Sequence, residues 1–333
     1  MKILKQAFSV LLRIGVSIVL LALLFKFNKI DLGELAKDIR GADKGLLLIG
    51  CAIFIVTYVL GFLRWRMLLK AADMHIPPRK LISSFCGGMF FSIFLPSTIG
   101  GDVVRTADLA GHTKKTKEVI ATVFLDRLSG YIGLVLVVII AFFLDSRLLQ
   151  DKVVLLSVGI IIGLLVVIIL VLFNKHIYAS ATAFFSKPGR ALKVKEMIRG
   201  LHHEIHIFRH RPQMIASNLL LSLAIQVIAP ISTYFIALSL GIEVKLINYF
   251  IFLPIIGAIT LLPISLGGLG LRESLFALYF AKVGVSKQLA VALSLLSFSF
   301  VVLFGAIGGV IYVLTVHHRR VQHHQSPAVP RKV

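Results

Sequence analysis

Two adjacent ionisable residues, Asp126 and Arg127, interrupt an otherwise apolar stretch at about 119–144. A second pair, Asp102 and Arg105, stands shortly before it. Charged groups are costly within a long apolar stretch, and they usually face a partner or a water-filled cavity. An arginine guanidinium suits phosphate, because its planar fork bonds two oxygens at once. These residues are therefore candidates for a phosphate-binding site.

The Pro- and Gly-bearing segment 94–105 supplies the rest of this candidate site. Its paired glycines would let backbone N–H groups approach an anion, and a helix beginning near Asp102 would add its positive end. The predicted phosphate ligands are Arg105, Arg127, Gly100, Gly101, Thr98 and Arg272. In the alternative, structural interpretation, the Asp126–Arg127 pair only neutralises the preceding pair and holds this segment against its neighbour. The two roles are compatible.

A second break, residues 261–272, resembles the first. Aligned at an offset of 167, the two are identical at five of twelve positions, where average residue usage gives about one match. The shared positions are Leu95/Leu262, Pro96/Pro263, Gly100/Gly267, Gly101/Gly268 and Arg105/Arg272. We interpret this as an internal duplication, because the offset is half the chain length. The predicted hairpin turns are Pro96, Pro263, Gly267 and Gly268. Arg272 either mirrors Arg105 in a cavity or pairs with Glu273 at the surface, and the predicted charge-pairing residues are Asp102, Asp126 and Glu273.

The elements that must position these residues are long and apolar. Hydrophobic residues make up 58% of the 333 residues and charged ones 15%, which excludes a water-soluble enzyme and a disordered chain. Six apolar stretches approach the roughly 20 residues that cross a bilayer. They lie at about 7–25, 45–63, 119–144, 151–173, 213–240 and 288–316. Two shorter stretches, 81–95 and 246–262, each lead into one of the breaks.

The distribution of Lys and Arg distinguishes two ways of threading the chain. If the short stretches dip into the membrane and return, the cytoplasmic pieces carry 23 Lys and Arg and the outer pieces 11. If they cross, the basic segment 174–212 lies opposite a cytoplasmic N-terminus. The positive-inside rule therefore favours re-entrant hairpins at about 81–112 and 246–283. Three full spans per half make the second repeat inverted, and paired broken helices are typical of transporters.

The predicted fold is an all-α polytopic membrane protein with six full transmembrane helices, two re-entrant hairpins and cytoplasmic termini. Its parts are a first repeat over 1–150, a second repeat over 151–316 and a disordered tail over 317–333. Within the second repeat, apolar residues at helical spacing among basic ones predict an amphipathic helix on the inner leaflet at about 190–210.

The net charge of +21 resides mostly in the short connections. It therefore indicates contact with anionic lipid headgroups rather than with nucleic acid. The one tryptophan, Trp65, stands between Arg64 and Arg66 at the end of an apolar stretch. This position predicts that Trp65 anchors the cytoplasmic end of a span at the membrane interface.

Several common chemistries lack their sequence signatures. The Gly-rich string 267–270 follows no strand, which argues against a dinucleotide site, and no phosphate-loop motif of an ATPase occurs. Histidines cluster at 202–210, but a zinc site needs converging ligands with a supporting shell. No histidine falls in a predicted span, so no catalytic triad can be assembled there. We predict no catalytic residue, no metal and no cofactor.

Three motifs resemble those of the flippase-like family, also called the lysylphosphatidylglycerol synthase transmembrane region. They read Phe94-Leu-Pro-Ser-Thr-Ile-Gly-Gly-Asp-Val-Val-Arg105, Thr122-Val-Phe-Leu-Asp-Arg127 and Leu262-Pro-Ile-Ser-Leu-Gly-Gly-Leu-Gly-Leu-Arg-Glu273. The resemblance implies an integral inner-membrane protein related to domains that move lipids between leaflets. In some members such a domain is fused to a soluble aminoacyl-transferase domain that lysinylates phosphatidylglycerol. The longest polar stretch here, 174–212, has 39 residues, too few for that domain.

On these grounds we expect a flippase-like transporter that moves a phosphate-bearing lipid between leaflets of the inner, or plasma, membrane. Its expected partner is a membrane lipid with an anionic headgroup. One alternative is an intramembrane lipid-modifying enzyme acting on a phospholipid or a polyprenyl phosphate, with Asp102 or Asp126 as general base. The other is a membrane partner of a separate lipid synthase that does not itself transport.

Overall fold

The fold is known from a computed structural model that describes residues 15–26, 30–95, 98–145, 150–173, 212–261 and 265–325. Within these ranges every regular element is helical. Five helices are long and apolar enough to cross a membrane. They are α3 (Lys44–Ala71), α6 (Thr116–Leu144), α7 (Lys152–Phe173), α8 (Pro212–Ser239) and α11 (Lys287–Gln325). The predicted all-α, multi-pass membrane class is confirmed.

Six further helices lie in the described ranges. They are α1 (Gly15–Lys26), α2 (Leu32–Gly41), α4 (Pro78–Phe94), α5 (Thr98–Thr113), α9 (Leu246–Thr260) and α10 (Leu271–Ala281). The predicted first span, 7–25, is described only from residue 15, as part of α1.

Aspartates cap the starts of α2 and α3. Asp31 accepts hydrogen bonds from the N–H groups of Gly33 and Glu34, and Asp43 accepts one from Leu46. These caps satisfy N–H groups that a helix start leaves unpaired.

At the first break the chain folds back, so that α5 packs closely along α4. The contact needs glycine: a β-carbon on Gly101 would collide with the carbonyl oxygen of Gly88 and the hydroxyl of Ser92. Toward the open end of this pair, Lys80 Nζ lies 2.5 Å from Asp108 Oδ1. The two helices therefore form an antiparallel hairpin. Thr98 begins α5, and the predicted turn residue Pro96 lies outside the described residues.

The second break also joins two short helices that pack on each other. Tyr249 of α9 lies 5.2 Å, centroid to centroid, from Phe280 of α10. Between them a 3₁₀ turn spans Leu266–Gly268, and Gly267, Gly268 and Gly270 have φ angles of 57°, 82° and 80°. Such left-handed backbone is accessible mainly to glycine, which explains the glycine-rich string. The predicted turn residue Pro263 lies outside the described residues.

The two breaks approach one another. A β-carbon on Gly267 would lie 3.5 Å from the carbonyl oxygen of Ile93, near the end of α4. Glycine at this position therefore permits backbone-to-backbone approach between the tips of the two helix pairs.

Helices α3 and α8 run antiparallel in contact along their length. The backbone N–H of Asp43 donates to the carbonyl oxygen of Ser239 (2.9 Å), and Ser232 Oγ donates to that of Gly50 (2.8 Å). Further along, Arg64 Nη1 donates to Ser222 Oγ (3.1 Å). Residue numbers thus rise in α3 as they fall in α8, and both helices carry polar residues into the centre of the bundle.

The prediction for Trp65 is wrong: its side chain is fully buried, because α5 and α6 cover the end of α3 that the sequence placed at the interface. Helix α11 continues to Gln325, past position 317 where the tail is predicted to begin. The predicted amphipathic helix at 190–210 lies outside the described residues.

Candidate functional site

An ion-paired cluster forms where α3, α5 and α6 meet. Its centre is Asp126, which is almost fully buried. Arg64 Nε lies 2.7 Å from Asp126 Oδ1, and Arg105 Nη2 lies 3.0 Å from Asp126 Oδ2. Each carboxylate oxygen therefore accepts a hydrogen bond from a different arginine, so Asp126 holds two helices against its own.

A second aspartate extends the cluster along α5. Arg105 Nη2 also lies 3.0 Å from Asp102 Oδ1, one turn away on the same helix. Arg127 Nε lies 2.6 Å from Asp102 Oδ2, which returns the chain of ion pairs to α6. Asp102 and Asp126 thus alternate with Arg64, Arg105 and Arg127, and together they attach the α4–α5 hairpin to its neighbours.

The cluster carries one net positive charge, because it contains three guanidinium groups and two carboxylates. Arg105 is buried, whereas the side chain of Arg127 is 36% exposed. The excess charge is positioned about 15 Å from the start of α6, since Asp126 is ten residues after Thr116 at 1.5 Å per residue. Charged groups within apolar helices usually face a partner or a water-filled cavity.

Helix α8 contributes polar residues that the sequence reasoning did not single out. Ser222 accepts the bond from Arg64 and itself donates to the carbonyl oxygen of Asn218. Gln226 Nε2 donates to the carbonyl oxygen of Gly130 (3.1 Å). A signal for this face was present: Asn218, Ser222 and Gln226 are spaced by four residues within an apolar stretch, so they share one side of a helix.

A cavity of about 270 Å³ opens beside the cluster, between α3, α6, α8 and α9. Its polar lining residues are Arg64, Asp126, Arg127, Tyr131 and Gln226, and its apolar ones include Leu134, Ile225, Leu253, Pro254 and Leu261. The cavity therefore offers cations and hydrogen-bond donors together with hydrocarbon.

Prolines shape two of the cavity walls. Pro230 lies inside α8 and Pro254 inside α9, and both line the cavity. A proline within a helix has no N–H for the carbonyl oxygen four residues earlier. The helical bond to the carbonyl oxygen of Gln226 is accordingly lost in α8.

The predicted phosphate ligands separate in space. Arg127 lines the cavity. Arg64, which the sequence did not suggest as a phosphate ligand, also lines it. Arg105 is held between the two aspartates and over the ring of Trp65. Gly100 and Gly101 serve packing, because β-carbons there would meet Leu95 and Gly88 respectively. Thr98 is at the start of α5, at the tip of the hairpin.

Arg272 belongs to a separate network at the start of α10. Its Nη2 lies 2.5 Å from Glu273 Oε1, and its Nε donates to Ser294 Oγ of α11 (3.1 Å). Glu273 is fully buried and accepts a 2.6 Å bond from the backbone N–H of Gly270, the residue that begins the helix. Arg272 also lies over Phe298, 4.0 Å from the ring centroid. This network fixes α10 to α11, and none of these contacts reaches the first cluster.

Metal ligands do not converge in the part of the chain that the structure describes, where no group of three His, Cys, Asp or Glu side chains could hold an ion. The histidines at 202–210 lie outside it.

Comparisons with known proteins extend over most of this chain. Residues 10–309 match the family described as the lysylphosphatidylglycerol synthase TM region. A UPF0104 membrane protein of Pyrococcus horikoshii is 27% identical over 310 residues, covering 86% of this chain and 90% of that protein. A UPF0104 membrane protein of Methanothermobacter thermautotrophicus is 25% identical over 316 residues, covering 86% and 89%.

Proposed function

The chain belongs to the lysylphosphatidylglycerol synthase transmembrane region family, and from this membership we propose that it is a flippase-like transporter that moves a phosphate-bearing lipid between membrane leaflets. The observation that carries the proposal is the cavity beside a cluster of three arginines and two aspartates. A buried excess of positive charge is stabilised by an anion, and lipid phosphate is the abundant anion of a membrane.

Arg64 and Arg127 are the proposed phosphate ligands, since both line the cavity. A guanidinium carries five N–H donors, so an arginine that is oriented by one carboxylate can bind phosphate at the same time. Arg105 has a different proposed role. By bridging Asp102 and Asp126, it keeps the carboxylates directed at the arginines rather than at the incoming anion.

Three contacts support two re-entrant hairpins among six full spans. If each short helix pair crossed the membrane once, from one face to the other, Asp43 and Ser239 would lie on opposite faces, yet they share a 2.9 Å backbone bond. The same threading would separate Asp151 from Lys282, which form a 2.6 Å ion pair. It would also separate Lys80 from Asp108. Re-entry brings the two residues of each of these contacts to the same face. With the basic connections on the cytoplasmic side, it also makes both termini cytoplasmic in an inner membrane.

The antiparallel course of α3 and α8 supports inverted repeats, since the offset of 167 places these helices at equivalent positions of the two halves. The tips of the hairpins then meet near the midplane, at Ile93 and Gly267. Broken helices meeting at a cavity are a recurrent transporter architecture, in which one repeat moves against the other. Such a movement would open the cavity to each leaflet in turn.

The enzymatic alternative requires a general base at the cavity. Asp102 and Asp126 are the available carboxylates, but guanidinium groups occupy both oxygens of each. A base must reach the proton that it abstracts. The arrangement therefore favours binding of an anion over its chemical modification.

Transport can be tested with proteoliposomes that contain a fluorescent phosphatidylglycerol in both leaflets. Dithionite quenches only the outer leaflet, so transport appears as additional quenching beyond that of protein-free vesicles. We expect this component with the wild-type chain and its loss in Arg64→Gln/Arg127→Gln. Arg66→Gln is the matched control, because Arg66 lies on the same helix outside the ion-paired cluster.

Equal quenching by protein-free and protein-containing vesicles would contradict transport. Full transport by a well-folded Arg64→Gln/Arg127→Gln chain would contradict the phosphate site.

A further inference from the structure

A second cavity, of about 350 Å³, lies between α6, α7 and α9. Its walls are almost entirely aliphatic and include Ile160, Ile161 and Leu164 of α7. Among the described residues, the polar side chains that line it are Tyr131 and Ser157, and Ser157 Oγ is already hydrogen-bonded to the hydroxyl of Tyr279 (2.8 Å). This cavity therefore suits hydrocarbon and would exclude a sugar or a charged group.

The second cavity adjoins the first. Tyr131 and Leu261 line both, so the two spaces meet at these side chains. Arg127 is one helical turn from Tyr131 on α6 and faces the polar space. A molecule with a phosphate at Arg64 and Arg127 would thus extend past Tyr131 directly into the aliphatic space.

The aliphatic cavity also reaches the outer surface of the bundle. Ile160 and Leu164 are 54% and 60% exposed, although they line it. In a membrane those exposed faces meet acyl chains. A chain could therefore enter sideways between α7 and its neighbours while the rest of its molecule stays in the bilayer.

We propose that the α6–α7–α9 cavity holds one acyl chain of the same lipid whose phosphate binds Arg64 and Arg127. This inference rests on the proposed function and makes it more specific: the substrate class is a lipid with a hydrocarbon chain close to its phosphate. Tyr131 marks the boundary between the headgroup and the chain.

The cavity would select and orient a lipid more than attract it. A chain that leaves the bilayer for an aliphatic cavity gains little from the hydrophobic effect, because lipid tails are as apolar as leucine. What remains is packing, together with the requirement that phosphate and chain be held at a fixed separation. Filling the cavity should therefore weaken binding of the whole lipid while leaving the arginines in place.

The test uses the full chain in detergent and native mass spectrometry, with phosphatidic acid as the probe and diacylglycerol as the matched lipid without phosphate. Ile161→Trp fills the cavity from α7. Val166→Trp is the control, since Val166 lies on the opposite side of that helix and is 46% exposed. We expect Ile161→Trp to weaken phosphatidic acid binding about fivefold and Val166→Trp to leave it unchanged. If Ile161→Trp fails to fold, Leu164→Trp replaces it, because its exposed position tolerates a larger side chain.

The outcomes separate the two proposals. Preference for phosphatidic acid over diacylglycerol in the wild-type chain supports the phosphate site, and its absence would overturn that site. If the preference exists but folded Ile161→Trp or Leu164→Trp binds phosphatidic acid as tightly as the wild-type chain does, the acyl-chain site is overturned alone. Equal weakening by Val166→Trp would also overturn it, since the effect would then be general to α7.

Discussion

The guanidinium carbon of Arg105 lies 4.7 Å from the centroid of the Trp65 ring. Both side chains are buried, so the cation is held between an aromatic face and the carboxylates of Asp102 and Asp126. A cation in such a position is stabilised by the ring as well as by its ion pairs. The contact makes Arg105 a scaffold for the cluster rather than part of the cavity wall.

Arg105 and Arg127 should therefore respond differently to substitution. Arg105→Gln should lower the free energy of unfolding by about 3–5 kcal/mol, because it removes one of the two arginine partners from both Asp102 and Asp126. Arg127→Gln should cost less, since that side chain is 36% exposed and can be replaced by water. Thermal unfolding of the two purified variants measures the difference.

A compensating change checks the cause. Removing a carboxylate as well, in Arg105→Gln/Asp102→Asn, should recover part of the lost stability, because position 102 then no longer carries a charge that has lost one of its two arginines, and the net charge of the cluster returns to its wild-type value. Equal stability of Arg105→Gln and the wild-type chain would contradict the scaffold role.

Gly101 should tolerate no side chain. Gly101→Ala should destabilise the α4–α5 hairpin, since the new β-carbon would collide with the backbone of Gly88 and with Ser92. Gly111 of the same helix is the control, because a β-carbon there meets no atom within 4 Å. Gly111→Ala should stabilise by about 0.5–1 kcal/mol. Relative to the wild-type chain, the melting temperature should fall in Gly101→Ala and rise in Gly111→Ala. A shift in the same direction in both variants would contradict the packing.

The buried Glu273 should be intolerant of neutralisation. Glu273→Gln leaves Arg272 without its carboxylate and weakens the bond that begins α10 at Gly270, so a loss of about 3–5 kcal/mol is expected. Ser294→Ala, which removes a single hydroxyl from the same network, should cost about 1 kcal/mol. Chemical or thermal unfolding of the two variants gives the comparison. A milder effect for Glu273→Gln than for Ser294→Ala would show that the ion pair is dispensable.

The ion pair of Asp151 with Lys282 should respond to acid. The hydrogen bond from Lys282, aided by the backbone N–H groups of Val153 and Val154, holds the pKa of Asp151 below its usual range. A carboxyl whose pKa is lower in the folded state stabilises the fold above its unfolded pKa, and this contribution is lost as the pH falls through the folded value. The loss should therefore occur below about pH 4.

Asp151→Asn isolates that charge, because asparagine can still cap the start of α7. The wild-type chain should melt slightly higher than Asp151→Asn at pH 7, and the difference should shrink as the pH falls below about 4. A difference that persists unchanged at pH 3 would mean that the charge of Asp151 is not its source.

Membrane sidedness can be measured at two equivalent helix starts, Lys117 of α6 and Lys287 of α11, which are both exposed. Single cysteines at these positions, in a chain without Cys51 and Cys86, should react with an impermeant maleimide from the cytoplasmic and the outer side respectively. If each short helix pair instead crossed the membrane once, both labelled positions would lie on the same side. Labelling of both from one face would therefore contradict the inverted repeat.

The sequence by itself determined the class of the protein and its family. Apolar stretches of membrane length, the two Pro-Gly-Gly breaks and three family motifs are local patterns, and each is legible without knowing which helices touch. Hydropathy fixes the helices because a bilayer requires every backbone polar group to bond within its own segment. The positions of Asp102, Asp126 and their neighbouring arginines were also legible, because charge in an apolar stretch is exceptional.

Only the tertiary structure decided what each charge does. From the sequence alone, Arg64 flanks a span and Trp65 is predicted to anchor it at the membrane interface. In the structure, α5 and α6 cover that end of α3 and leave both side chains largely buried. Arg105 and Arg127 look alike in sequence, yet one lies over a buried ring and the other lines a cavity. These roles depend on contacts between residues up to 158 positions apart, as between Arg64 and Ser222. Such contacts follow from helix packing, which depends on the fit of distant side chains and leaves little trace in local composition.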